Sequence, residues 1–165
     1  SEMCIRDSPA GAKNLFVNEI SQREWFSKQT EKLGKECNFM IGTAHHLYKT
    51  SGPHRKDEPH GKDFFEKEVV GKYDLFLSGH DHHLEDAGEY GETRFLVSGA
   101  AAKVRGLLDE AEWHEESEWA VGNIYGYMTL QFNGDCSKDC AAEYKFYVVD
   151  EAGNASMEHS NIIRP

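Results

Sequence analysis

Tyr73-Asp74-Leu75-Phe76-Leu77-Ser78-Gly79-His80-Asp81-His82 is the stretch whose reading decides the fold of this 165-residue chain. Its first half is a short, mainly apolar run of the kind that forms a buried strand. Its second half leaves that strand at Gly79 and delivers two histidines one residue apart. Glycine lets a chain turn sharply out of a strand. The alternate histidines, His80 and His82, can then each face a metal, with Asp81 pointing aside as an orienting partner. A Gly-His-x-His run alone is a weak signal, and its weight comes from what flanks it.

Upstream, Lys62 to Lys72 reads as a helix with Phe65 and Val69 four apart. Before it lies the polar stretch Leu47 to His60, with Gly52-Pro53 and Glu58-Pro59, a long loop of the kind that is more often functional than idle. Earlier still, Asn38 to Ala44 reads as a buried strand that ends directly at His45-His46. Ser21 to Gly34 reads as a helix. Ser21 and Glu24 suggest a capping box, Ile20 and Trp25 a hydrophobic staple, and Gly34 the stop. Downstream, Arg94 to Val97 is a third strand candidate, followed by Ser98-Gly99-Ala100. Strand, helix, strand at this spacing is a βαβ unit, and open α/β sheets bind ligands at the carboxyl ends of their strands. Neighbouring strands would therefore set His45 and His80 on one rim.

Beyond Ala101 the pattern changes. Leu108 to Trp119 is strongly acidic and reads as a solvated loop or helix face. Tyr125 to Phe132 and Tyr144 to Val149 alternate as a terminal hairpin, and Asn133-Gly134-Asp135 favours the left-handed positions of a tight turn. The tail from Ala152 is polar and reads as frayed.

Two features bound the chain as a whole. Glu2 to Ser8 back-translates without a break as GAG-ATG-TGT-ATA-AGA-GAC-AG, the mosaic end of transposase-based sequencing libraries. Residues 1–8 are therefore read as a sequencing-adapter artefact and residues 9–165 as one partial domain. Without the adapter the basic side chains number 17 and the acidic 27, a net charge of −10 in place of −11. So acidic a chain argues against a nucleic-acid-binding surface, and an anionic substrate would need local positive charge, which metal ions supply. No apolar run approaches the roughly 18 residues of a membrane span. Cys37, Cys136 and Cys140 remain. Cys136 and Cys140 either pair across a turn in an exported protein or stand as ordinary thiols.

Nine histidines are many for this length, and His45-His46, His54, His60 and His80 to His83 cluster at strand ends or in the loop between them. Neutral imidazoles converging at a sheet edge suit divalent and trivalent transition metals. A zinc hydrolase of the metallo-β-lactamase type needs His-x-His-x-Asp-His, and Leu84 and Glu85 stand where Asp and His are required. A structural zinc site would recruit cysteines at short spacing, and Cys136 and Cys140 lack a second pair.

Several stretches resemble the calcineurin-like metallophosphoesterases, in their purple or tartrate-resistant acid phosphatase branch. Ala44-His45-His46-Leu47-Tyr48 through Ser51-Gly52-Pro53-His54 is similar to the family's Gly/Ala-His-His-Pro-Tyr and Gly-Pro-His segment. Leu75 to His82 resembles its Tyr-Leu-Ser-Gly-His-Asp-His strand and turn, and Phe95 to Lys103 its Val-Ser-Gly-Ala-Gly-Ala-Lys segment. Glu24-Trp25-Phe26 resembles the helix that precedes the histidine strand. Leu47 in place of proline, His83 in place of Asn or Ser, and Ala101 in place of glycine depart from the pattern without touching a ligand.

The resemblance implies an α/β fold: the C-terminal half of a four-layer αββα sandwich, a βαβ unit followed by antiparallel strands and a terminal hairpin. It implies a binuclear-metal phosphomonoesterase in which hydroxide attacks a small phosphate ester. The metals would be two transition ions, iron with zinc, manganese or iron. By the same resemblance His45 and His80 would ligate one metal and His82 the other. His54 would act catalytically beside the phosphate, and His46 and Asp81 would support them. It favours an extracytoplasmic location. The family's early Asp, bridging Asp and Asn-His ligands lie upstream, and nothing in Pro9 to Ile20 resembles them, so the chain alone is expected to be inactive. A phosphodiesterase or pyrophosphatase on the same scaffold, and a non-catalytic domain that kept the histidines, stay open beside this reading.

Overall fold

A computed structural model describes the backbone of residues 2–7, 16–17, 20–134 and 140–164, with side chains from Ser21 onward, His60 excepted. The central element is a six-stranded sheet in the order β1-β4-β5-β7-β6-β8. Its strands are β1 (Glu2–Asp7), β4 (Cys37–Ala44), β5 (Leu75–Ser78), β6 (Leu84–Tyr90), β7 (Thr93–Ser98) and β8 (Trp119–Val121). β1, β4, β5 and β7 run parallel, and β6 is antiparallel to both β7 and β8. A two-residue ladder, β2 (Phe16–Val17) with β3 (Ile20–Ser21), precedes helix α1 (Gln22–Leu33). Helix α2 (Glu58–Glu68) is the crossover between β4 and β5.

The apolar runs are strands because both faces of this sheet are covered. Along β4, Met40 and Ala44 face one core with Phe26 of α1 and Phe65 of α2, while Phe39 and Ile41 face a second core. Phe76 and Leu75 of β5, and Phe95 and Leu96 of β7, divide the same way. The second core is closed by a three-stranded antiparallel sheet, β11-β10-β9, formed by β9 (Tyr125–Asn133), β10 (Ala141–Val149) and β11 (Ala155–Ile163). Ala142, Tyr144, Phe146 and Val148 of β10 point into it. The described residues thus form three layers, helix, sheet and sheet, of the expected αββα sandwich, and the α/β class stands.

Several local expectations hold. Ser21 caps α1 by accepting from the Glu24 backbone N–H at 3.2 Å. The Glu24 carboxylate, however, bonds Lys28 rather than returning to Ser21. The Ile20 side chain, and with it the staple, lies outside the described residues, as do Asp135 and Cys136. β9 and β10 pair as a hairpin in unbroken register, with Gly134 left-handed at φ 88°.

Two readings need correction. The Leu47–His60 stretch is not all loop. A 3-10 turn at Pro53–Asp57 runs into α2, which starts at Glu58 with Pro59 in its first turn, where a missing N–H costs nothing. The polar tail is not frayed: Ala155–Ile163 pairs along β10, with one register shift between Phe146 and Tyr147. It reads as polar because most of its side chains remain exposed. β6 and β8 were not anticipated. Of the two alternatives left open for Cys140, the disulfide holds: Cys140 is disulfide-bonded, as is Cys37, and Cys136 lies outside the described residues. Glu2–Asp7, set aside as adapter-derived, lies along the edge of β4. An open strand edge pairs with extended segments generally, so this placement carries no information on the segment's origin.

Candidate metal centre

The parallel register sets the site. Ala44 pairs with Ser78 and Ser78 with Val97, so β4, β5 and β7 end level with one another. Their next residues are His45, Gly79-His80 and Gly99. Gly79 N–H bonds the His45 carbonyl at 3.3 Å, carrying the pairing one step past the strands. The sharp turn, however, does not fall on the glycine. His80 itself is left-handed at φ 56°, and Asp81 N–H folds back onto Gly79 O at 2.6 Å. Histidine tolerates this region better than most side chains, and strained backbone of this kind clusters at functional sites.

Four imidazoles meet on this rim. His80 Nδ1 lies 3.0 Å from His45 Nε2. The His80 ring centre is 4.7 Å from that of His46 and 4.4 Å from that of His54. Burial, and then the neighbouring His54, His46 and His45, hold the His80 pKa below the ordinary imidazole range. His82 is half-buried beside this group, and its pKa is lowered by desolvation and by the cations Arg105 and Lys103. The Nδ1 atoms of His46 and His82 are buried and bond to no described residue.

Asp81, read from the sequence as an orienting partner, bonds His54. Fully buried, it receives His54 Nδ1 at 2.6 Å on one oxygen, and the Thr50 hydroxyl at 2.8 Å and the His54 N–H at 3.3 Å on the other. This packing demands glycine at two positions. A Cβ on Gly52 would stand 2.4 Å from the Asp81 carboxylate, and one on Gly99 would stand 1.8 Å from the Asp81 carbonyl oxygen. On its other side His54 Nε2 receives Arg105 Nη1 at 2.9 Å.

Three participants were not singled out in the sequence. Asp57 has its Oδ2 3.6 Å from His80 Nε2. His54, Asp57 and His80 together place one ligand atom each within 4.8 Å of one another, and His82 stands outside that group. Asp57 makes no cap bond, because the 3-10 turn continues directly into α2. Its spacing of three from His54 was the available signal. Arg105, two residues past Lys103, is the second. The third is Glu85, buried under the rim, which accepts from Ser51 N–H and hydroxyl, from Ser117 and from His83 Nε2 at 2.7 Å.

A second cluster with metal-ligand chemistry lies between the two sheets. Asp86, Glu118 and His159 bring ligand atoms within 4.8 Å of one another. Arg94 fills the cation's position there, reaching Asp86 at 2.6 Å, Glu118 at 2.7 Å and the Tyr144 hydroxyl at 3.1 Å. Tyr144 and His159 also bond Asp86.

No family model matches the chain. Against curated proteins it is 31% identical over 117 residues to purple acid phosphatase 7 of Arabidopsis thaliana, a match covering 70% of this chain and 32% of that protein. The chain is similar in sequence to a purple acid phosphatase. It spans about a third of the length of that curated relative. Among solved structures, purple acid phosphatase PPD1 from yellow lupin (Lupinus luteus) seeds superposes with a TM-score of 0.63 at 17% identity. That match covers 89% of this chain and 28% of the lupin chain. GAP50, described as the anchor in the inner membrane complex of Plasmodium, has the same TM-score at 14% identity, over 97% of this chain and 48% of its own. Likeness at these identities establishes the shared fold.

Proposed function

We propose that the chain forms one side of a binuclear-metal phosphomonoesterase site of the acid phosphatase type, acting on small phosphate esters. The observation that carries this reading is the 3.0 Å approach of His45 Nε2 to His80 Nδ1 at the ends of adjacent parallel strands. Two imidazole nitrogens each bound about 2.1 Å from one ion, at a right angle, stand about 3 Å apart. The buried Nδ1 atoms of His46 and His82, without a partner among the described residues, also favour a ligand-bearing rim. In this reading His45 and His80 hold one ion, His82 the second, and Asp57 stands ready beside His80. His54 sits beside the phosphoryl group, and Asp81 fixes its orientation. The donor set suits iron with zinc, manganese or iron.

When bound, two such ions lower the pKa of a water and neutralise charge on the phosphoryl oxygens. The chain's own residues contribute the frame. The buried Asp81 carboxylate and the Thr50 hydroxyl hold His54 in one orientation, and Glu85 ties Ser51 beneath it. The disulfide-bonded cysteines support an extracytoplasmic location.

A second reading is a non-catalytic module that kept the histidines. The likeness to an anchor protein over nearly the whole chain favours it. Titration with Co2+, followed by visible absorption, separates the two. The phosphatase reading expects Co2+ uptake that is lost in His45→Ala and His80→Ala, and uptake unaffected by both variants overturns it. Assayed as it stands, the chain is expected to hydrolyse an aryl phosphate only at background. Three imidazoles and one carboxylate carry too little charge to hold two highly charged ions, and robust turnover would contradict that.

A further inference from the structure

We propose that Arg105 recognises the phosphoryl group at this site, and that His54 holds its guanidinium ready to do so. The inference rests on the phosphatase reading above.

His54 is gripped from both sides, and the two grips fix its tautomer. Arginine donates and never accepts, so Nε2 is the acceptor of the 2.9 Å bond from Arg105 Nη1. The ring hydrogen is therefore on Nδ1, where it is donated to Asp81 Oδ1 at 2.6 Å. With its Nε2 lone pair taken, His54 in this arrangement donates nothing to an anion from that atom. Arg105 occupies that position instead.

Three further observations bear on Arg105. Its backbone is fixed to the metal-site turn: its N–H bonds the His82 carbonyl at 2.8 Å, and its own carbonyl receives Asn123 N–H at 2.8 Å. Its half-buried side chain forms no ion pair among the described residues, in a chain whose net charge is −11. Its bonded partner is an imidazole and not a carboxylate. Finally, Lys103, two residues away, is a second cation acting on His82. A guanidinium has five donors in a planar fork, of which His54 takes one, and the fork matches phosphoryl oxygens.

The test uses the chain with Arg105→Gln and Arg105→Lys. Two quantities are measured: Co2+ uptake by visible absorption and inorganic phosphate binding to the Co2+-loaded protein by calorimetry. Arg105→Gln is expected to take up Co2+ as the parent does and to bind phosphate at least about tenfold more weakly. Arg105→Lys, keeping the charge without the fork, is expected to fall between. Long-range 1H–15N spectra of the imidazoles add a readout that a purely structural role would not move. His54 Nε2 shifts in both variants, while His54 Nδ1 stays protonated. Phosphate affinity within twofold of the parent in Arg105→Gln overturns the inference and leaves the metal reading standing. Should that variant not fold, parent-like phosphate affinity in Arg105→Lys has the same force. A parent chain that takes up no Co2+ removes the metal reading, and this inference falls with it.

Discussion

The histidine rim and the Arg94 cluster are built from the same residue types and behave in opposite ways. At the Arg94 cluster, Asp86, Glu118 and His159 surround a guanidinium that supplies the positive charge, with Tyr144 and His159 completing the bonds to Asp86. Burial works against the guanidinium's charge, but Glu118 and Asp86 more than offset it and raise the Arg94 pKa. At the rim, His45, His46, His54 and His80 face one another, the pKa of His80 is depressed, and buried Nδ1 atoms of His46 and His82 bond to no described residue. Ligand-type residues gathered within 4.8 Å therefore do not identify a metal site by themselves. What separates the two is that at the Arg94 cluster a guanidinium bonds the carboxylates themselves, whereas at the rim the nearest guanidinium, Arg105, reaches an imidazole, His54.

The largest expected effect is at the self-satisfied cluster. Arg94→Met should lower stability by about 3–5 kcal/mol in urea unfolding, because it strands the buried Asp86 carboxylate, and should leave Co2+ uptake unchanged. A loss under about 1 kcal/mol would show that Arg94 is not the neutralising partner. His80→Ala should do the reverse. Its Co2+ affinity should fall by more than the roughly 10–100-fold that losing an outer partner costs, with stability within about 1 kcal/mol of the parent. His159→Ala, by comparison, should keep Co2+ affinity within about twofold while losing about 1–2 kcal/mol. Gly99→Ala tests the packing that positions the rim. A Cβ 1.8 Å from the Asp81 carbonyl oxygen should cost about 1–3 kcal/mol, and a neutral result would mean the turn yields freely.

The smallest expected effect is in pH. The folded-state pKa values of His80 and His82 lie below the ordinary imidazole value. The unfolded chain therefore binds more protons than the folded one as pH falls through about 6.5. Stability from these groups is fully present above that value and is lost below it. In chelator-treated protein the thermal midpoint should drop between pH 7.5 and 5.5, and less so in His80→Ala/His82→Ala. An equal drop in that double variant would assign the effect elsewhere.

The sequence made the rim far more legible than its support. β4, β5 and β7 are apolar on both faces because helices cover one side and the second sheet the other, and a continuous apolar run needs no partner to be noticed. The level strand ends then followed from the βαβ spacing. β6 escaped notice for the opposite reason. Its sequence, Leu84-Glu85-Asp86-Ala87-Gly88-Glu89-Tyr90, carries two acidic residues that are nonetheless fully buried. Their burial is made tolerable by Ser51, Ser117 and His83 at Glu85, and by Arg94, Tyr144 and His159 at Asp86. Those partners lie as far as 73 residues away. Long-range compensation leaves no local pattern, and the same holds for Arg105 at His54, 51 residues distant. The turn was legible in place but not in detail, since the positive φ fell on His80 rather than on Gly79.

The most direct test of the account is anomalous diffraction from crystals of the chain grown with Zn2+. The account predicts a peak between His45 Nε2 and His80 Nδ1, and none among Asp86, Glu118 and His159. A peak at the Arg94 cluster with none on the histidine rim would contradict it.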